Sequence, residues 1–221
     1  MVFDFDGTIL EGHSPVSLTY ALLRKRVLSV GAGLKVGLWG LRYKLRLPAE
    51  QSVVRKRIFR SLAHLPAQEV NQMMADLYTA QLAPRLRPAA LAAIEQHRQN
   101  GEKVILVSAS FRPLLEQAAA VVGAYHVICT EMEVVDGYYS GNVVGQPPEG
   151  EQKLIQLTAF ANECFGANNW VLTSMYGDHH SDEYLMDVAQ HPVAVNPDLR
   201  LARDAKAKGW QIVDWEFTPG N

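Results

Sequence analysis

The apolar positions of this chain follow two rhythms. From Pro88 onward, short apolar runs alternate with longer segments of helical period. The runs Lys103–Val107, Val127–Cys129, Trp170–Tyr176, Val193–Val195 and Gln211–Val213 predict strands. Ala89–Asn100, Phe111–Val122, Glu151–Phe165, Asp182–Ala189 and Asp198–Lys208 predict helices, with Gly101 and Gly123 as stops. Glu133–Val144 predicts a β-hairpin turning at Asp136-Gly137. Val2–Phe5 predicts one more strand at the start of the chain. Strands alternating with helices imply an α/β fold with a doubly wound, mainly parallel sheet.

Residues 14–85 keep a different rhythm, with no strand signal. Ser14 is expected to cap a helix reaching about Arg26, with Pro15 in its first turn. Pro48–His64 and Ala67–Gln81 predict two further helices, and Pro84 and Pro88 mark the exit. The apolar stretch Val27–Leu41 is interrupted by Lys35 and followed by Arg42, Lys44 and Arg46, so it is too short and broken to span a bilayer. The expected organisation is a core of residues 1–13 and 86–221 with an inserted all-helical cap at 14–85.

Composition changes this picture in one respect. The chain has 221 residues, 48% hydrophobic and 20% charged, ordinary for a globular protein that buries a core. The net charge of −2 conceals a split: residues 13–88 hold 13 Lys/Arg against 3 Asp/Glu, and the remainder 8 against 20. A basic insertion in an acidic core suggests two units with different tasks. Only Cys129 and Cys164 are present, which argues against a disulfide framework or structural zinc. The N-terminus begins in an apolar strand, not a basic region followed by an apolar run, so no secretory leader is expected and the cytoplasm is the expected location.

In sheets of this kind ligands bind at the carboxyl ends of the strands. Asp4, Ser108 and Asp178 each fall at such an end. On a strand, Asp4 and Asp6 share a face, and two crowded carboxylates repel each other unless a cation lies between them. Val2-Phe3-Asp4-Phe5-Asp6-Gly7-Thr8, then Ser108 after an apolar strand, Lys153 at a helix start and Gly177-Asp178 with Asp182 four residues later, form an ordered set. It resembles the four motifs of the haloacid dehalogenase-like phosphohydrolases. The helical insertion and the segment Asp136–Gly145 resemble the phosphoserine phosphatase-like branch.

That resemblance implies an Mg²⁺-dependent phosphomonoester hydrolase with Asp4 as nucleophile, forming an aspartyl-phosphate, and Asp6 as general acid and base. It implies Asp4, the Asp6 carbonyl and Asp178 as metal ligands, and Asp182 orienting the metal's water or Lys153. Ser108, Lys153 and backbone N–H groups are implied to hold the phosphate oxygens, with Thr8, His13 and Ala109 in the substrate-binding set. Thr8 is expected to fix the loop and Asp6. The amino-acid-specific members carry a Glu where this chain has His13, which puts phosphoserine in doubt as the substrate and leaves phosphoserine phosphatase proper as an alternative. The basic cap suggests instead a leaving group with its own negative charge, contacted by Arg55 and Arg57. A small phosphorylated metabolite is the expected substrate, and no nucleic acid partner is expected. A second reading has the segment 27–47 touch lipid, with a lipid phosphate as substrate. A third, a polyanion binder without catalysis, has no need of Asp6.

Overall fold

A computed structural model describes residues 1–25 and 58–216. Arg55, Arg57 and the segment 27–47 lie outside the described residues. Seven strands form one sheet: β1 (Val2–Phe3), β2 (Ile105–Phe111), β3 (His126–Val135), β4 (Tyr138–Val144), β5 (Ser174–Gly177), β6 (His191–Val195) and β7 (Gln211–Val213). Their order is β4-β3-β2-β1-β5-β6-β7, and every pairing is parallel except β3 with β4. Among the described residues the helices with both ends placed are α1 (Ser14–Arg24), α2 (Ala67–Leu77), α3 (Pro88–Gln99), α4 (Arg112–Val122), α5 (Glu151–Phe165), α6 (Glu183–Met186) and α7 (Leu199–Lys208). The α/β class with a mainly parallel sheet thus agrees with the sequence pattern. No described helix is long and apolar enough to cross a membrane.

The central strand shows why the sheet is covered on both faces. Val2 packs into one apolar cluster with Ile105, Val107, Met175 and Ala194. Phe3, one residue on, packs into the other with Leu106, Leu114 and Leu82. Successive side chains point to opposite faces, so a strand buried on both sides must be apolar at every position.

Several boundaries differ from the sequence pattern. β1 stops at Phe3, and Asp4 continues only through its N–H to the Tyr176 carbonyl at 2.9 Å. Asp4 and Asp6 therefore do not share a strand face. β2 starts at Ile105 and runs on through Ser108, with a register shift against β3 between Val107 and Phe111. The expected short strand and hairpin merge into one long β3, turning into β4 at Asp136 (φ 49°) and Gly137 (φ 83°). Positive φ at both turn positions is what a tight Asp-Gly hairpin requires. β5 is four residues long and begins at Ser174, not Trp170.

Between β1 and β2 the described regular elements are helical, with isolated bridges at Asp6, Leu10, Pro66 and Leu86. α2 continues into a π-helical turn (Tyr78–Leu82) and a 3₁₀ turn (Ala83–Arg85). The returning chain then clamps the loop after β1. Glu11 N–H bonds Arg85 O at 2.9 Å, Arg87 N–H bonds Ile9 O at 2.8 Å, and Arg87 pairs with Glu11. Beneath that loop Phe5, Ile9 and Leu10 are fully buried. Truncating such a side chain to Ala typically costs about 2–5 kcal/mol, so the loop is anchored by packing as well as by backbone bonds.

Candidate active site

The carboxyl ends of β1, β2 and β5 open on a cleft of about 500 Å³. Asp4, Asp6, Ser108, Lys153, Asp178 and Asp182 all line it, together with His13 and Ala109. Residues far apart in sequence are thus brought together where the topology places a ligand. Arg55 and Arg57 fall outside the described residues.

Lys153 occupies the third position of α5, and its side chain is 5% exposed. Its Nζ donates to Asp4 Oδ1 at 2.6 Å and to Asp182 Oδ1 at 2.5 Å. Burial alone would favour the neutral amine, but Asp182 and Asp4 outweigh it and hold the ammonium above its ordinary pKa. Asp178 is also buried, and Asp4, Asp178 and Asp182 carry carboxylate oxygens within 4.8 Å of one another. Three acids therefore face one ammonium. Desolvation pushes the Asp4 carboxyl up to about 7, with Lys153 pulling down and Asp182 pushing up. Asp178 is raised well above the carboxylate range by burial, then by Asp4 and Asp182.

Two glycines make room for this cluster. A Cβ on Gly7 (φ +85°) would lie 2.0 Å from Asp178 Oδ2, and one on Gly177 would lie 2.5 Å from Asp182 Oδ2. The carboxylates press against the backbone, so neither position tolerates a side chain. Thr8 is fully buried and donates to Asp178 Oδ1 at 3.4 Å. It thus faces Asp178, not Asp6, and is absent from the residues lining the cleft.

Asp6 has other company. Its Oδ1 accepts the Ser14 N–H at 2.5 Å, and its Oδ2 accepts the hydroxyls of Ser14 (2.9 Å) and Ser110 (2.5 Å). The two hydroxyls lie 2.7 Å apart. This revises the expected cap of α1. His13 is the extended N-cap residue, without a side-chain cap bond, and Ser14 is the first helical residue. Asp6 reaches across from the core to take a free N–H at the helix N-terminus, where a carboxylate is also favoured by the helix dipole.

Pro15, Ser110, Pro148, Glu149, His179 and Ser181 also line the cleft and were not placed in the site from the sequence, and Ser14 lines the adjoining recess. For Ser110 a signal existed, since it stands two residues after Ser108 on a strand; for Ser14 there was none beyond a capping pattern. A smaller recess of about 290 Å³ adjoins the cleft, shares Pro15, Ala109 and Ser110 with it, and is otherwise mostly apolar, with Leu18, Phe59 and Phe111 in its wall.

Residues 1–187 match the haloacid dehalogenase-like hydrolase family. The chain belongs to that family, and within it the chain is a phosphatase. It is similar to a histidinol-phosphatase of Neisseria meningitidis, 26% identical over 157 residues, covering 70% of this chain and 71% of that one. It is also similar to a phosphoserine phosphatase of Mycobacterium tuberculosis, 24% identical over 218 residues, covering 97% and 70%. A crystal structure of a Bordetella pertussis protein of unknown function superposes with a TM-score of 0.85 at 24% identity, covering 97% of both chains. That last likeness concerns the fold alone.

Proposed function

We propose that this phosphatase hydrolyses a small phosphomonoester through an aspartyl-phosphate on Asp4, with Mg²⁺ as its metal. The observation that carries the reading is the buried meeting of Asp4, Asp178 and Asp182 with Lys153. A dianionic phosphate and a carboxylate nucleophile repel each other, and one ammonium among three acids does not offset that. The donor set fits a small hard cation: it is all carboxylate oxygen, buried and crowded, with neither His nor Cys among the three. Asp4, Asp178 and the Asp6 carbonyl would hold the ion, with Asp182 fixing Lys153 behind it. When bound, the ion supplies positive charge to the transferring phosphoryl group.

The chain's own residues then divide the work. A carboxylate oxygen of Asp4 forms the bond to phosphorus as the bond to the leaving oxygen breaks. Asp6 gives its proton to that oxygen and later takes one from the water that cleaves the acyl phosphate. Lys153 and Ser108 hold phosphoryl oxygens where charge spreads in the transition state. Residues 14–85 serve as the cap, with His13 and Ala109 near the leaving group. The names of the two relatives support a small phosphorylated metabolite. Cys129 and Cys164, both free, suit a reducing compartment such as the cytoplasm.

The test is a screen of phosphomonoesters with Mg²⁺, repeated with Asp4→Asn and with excess chelator. Activity is expected only in the wild type with metal. Turnover by Asp4→Asn near the wild-type rate would overturn the covalent route.

A further inference from the structure

Asp6 is held by two hydroxyls that none of the four motifs contains. Ser110 comes from the end of β2 and Ser14 from the first turn of α1, and both are buried. Their oxygens and Asp6 Oδ2 form a triangle with sides of 2.5, 2.7 and 2.9 Å. A carboxylate offers about two lone pairs on each oxygen. When both hydroxyls donate to Oδ2, that oxygen is saturated. Oδ1 receives the Ser14 N–H, whose direction is set by the helix itself.

We propose that Ser14 and Ser110 are positioning residues for proton transfer, fixing the Asp6 carboxyl so that Oδ1 exchanges the proton with the leaving oxygen. The inference rests on the assignment of Asp6 as general acid in the proposed function. Three donors from two elements stop the carboxyl rotating about its last bond. The acid therefore needs no reorganisation as the bond to phosphorus breaks. Because Ser14 opens the helix that leads into the inserted segment, the same contact ties the orientation of the acid to the seating of that helix on the core.

A positioning role has a signature that a packing role lacks. An alkoxide leaving group needs its proton in the transition state, and a nitrophenolate does not. The ratio kcat/KM reports the steps through formation of the phosphoenzyme, before Asp6 acts as a base. The experiment measures kcat/KM for wild type, Ser110→Ala, Ser110→Thr and Ser14→Ala on a series running from 4-nitrophenyl phosphate to alkyl phosphates. Circular dichroism and thermal unfolding check each fold.

Ser110→Ala is expected to lose about tenfold on alkyl phosphates, a fraction of what a whole general acid supplies, and less than about twofold on 4-nitrophenyl phosphate. Ser110→Thr restores the hydroxyl and most of the rate. Ser14→Ala keeps its N–H bond and loses less than Ser110→Ala. Equal losses across the series in a folded Ser110→Ala would overturn the inference, as would no loss on any substrate. A wild type that hydrolyses no phosphomonoester, or an Asp4→Asn that does so undiminished, would remove the proposed function itself and this inference with it.

Discussion

Two clusters on either side of the loop after β5 have the same spacing and different physics. Asp4, Asp178 and Asp182 form one; His179, His180 and Asp198 form the other. In each, three atoms able to bind a metal lie within 4.8 Å. The first is buried and acidic, and the Lys153 ammonium pairs with two of its three acids, Asp4 and Asp182. The second is half-buried and already satisfied from within. Asp198 accepts the Leu201 N–H at 2.7 Å as the cap of α7 and the His180 Nδ1–H at 2.8 Å, while His179 Nδ1 accepts the Ser181 N–H at 3.2 Å. Those bonds hold the Asp198 carboxyl below its usual range, although burial pushes the other way. Ligand spacing is therefore common to both. Among the described residues, three crowded buried carboxyls belong to the first cluster and not to the second, and such crowding is what calls for a cation.

The comparison can be broken by changing one charge at a time. The largest effect is expected from Lys153→Met, which removes the ammonium that Asp4 and Asp182 share. Removing one partner from a buried ion pair costs about 3–5 kcal/mol, measurable by urea unfolding in chelator. A loss below about 1 kcal/mol would mean that Lys153 is not what holds the cluster together.

Metal addition comes next. Mg²⁺ at 100 times its dissociation constant should stabilise the wild type by about 2.7 kcal/mol. For a chain of this size that is a rise in Tm of roughly 5–10 °C. Asp178→Asn should abolish the rise, and thermal unfolding with and without Mg²⁺ measures both. A full rise in Asp178→Asn would place the ion elsewhere.

The smallest effect sharpens the contrast from the other side. Asp198→Ala removes the cap of α7 and should cost about 1 kcal/mol, the usual value of an N-cap. The expected fall in Tm is roughly 2–4 °C, with the Mg²⁺-induced rise unchanged. Loss of that rise would show that the second cluster takes part in metal binding.

Much of this architecture was legible because it follows from local periodicity. The apolar run before Ser108 suits a strand buried on both faces, and it forms the first part of β2. Asp136-Gly137 sets its own turn because positive φ at two positions suits few other pairs. α5 and β7 match their expected limits for the same local reason. Element ends were less legible. β1 is two residues long because the chain must leave the sheet at Asp4 to form the loop that Arg85 and Arg87 clamp. β5 starts four residues later than its apolar run, since Trp170 packs at the edge of a cluster and bonds Asn162 through Nε1 at 2.7 Å instead of entering the ladder.

The sequence by itself determined the α/β alternation and the strands β1 and β5 after which Asp4 and Asp178 stand, because periods of 2 and 3.6 are properties of short segments; that β2 runs on past Ser108 was not in it. Only the tertiary structure decided what surrounds each carboxylate. Asp4 lies against an ammonium from a helix 149 residues away, whereas Asp6, two residues further on, lies against hydroxyls from α1 and β2. Thr8 turned to Asp178 for a similar reason. Burial and hydrogen-bond partners depend on which distant segments the sheet order brings to one edge. No local pattern carries that information, and in a low-dielectric cleft those partners set the chemistry of each acid.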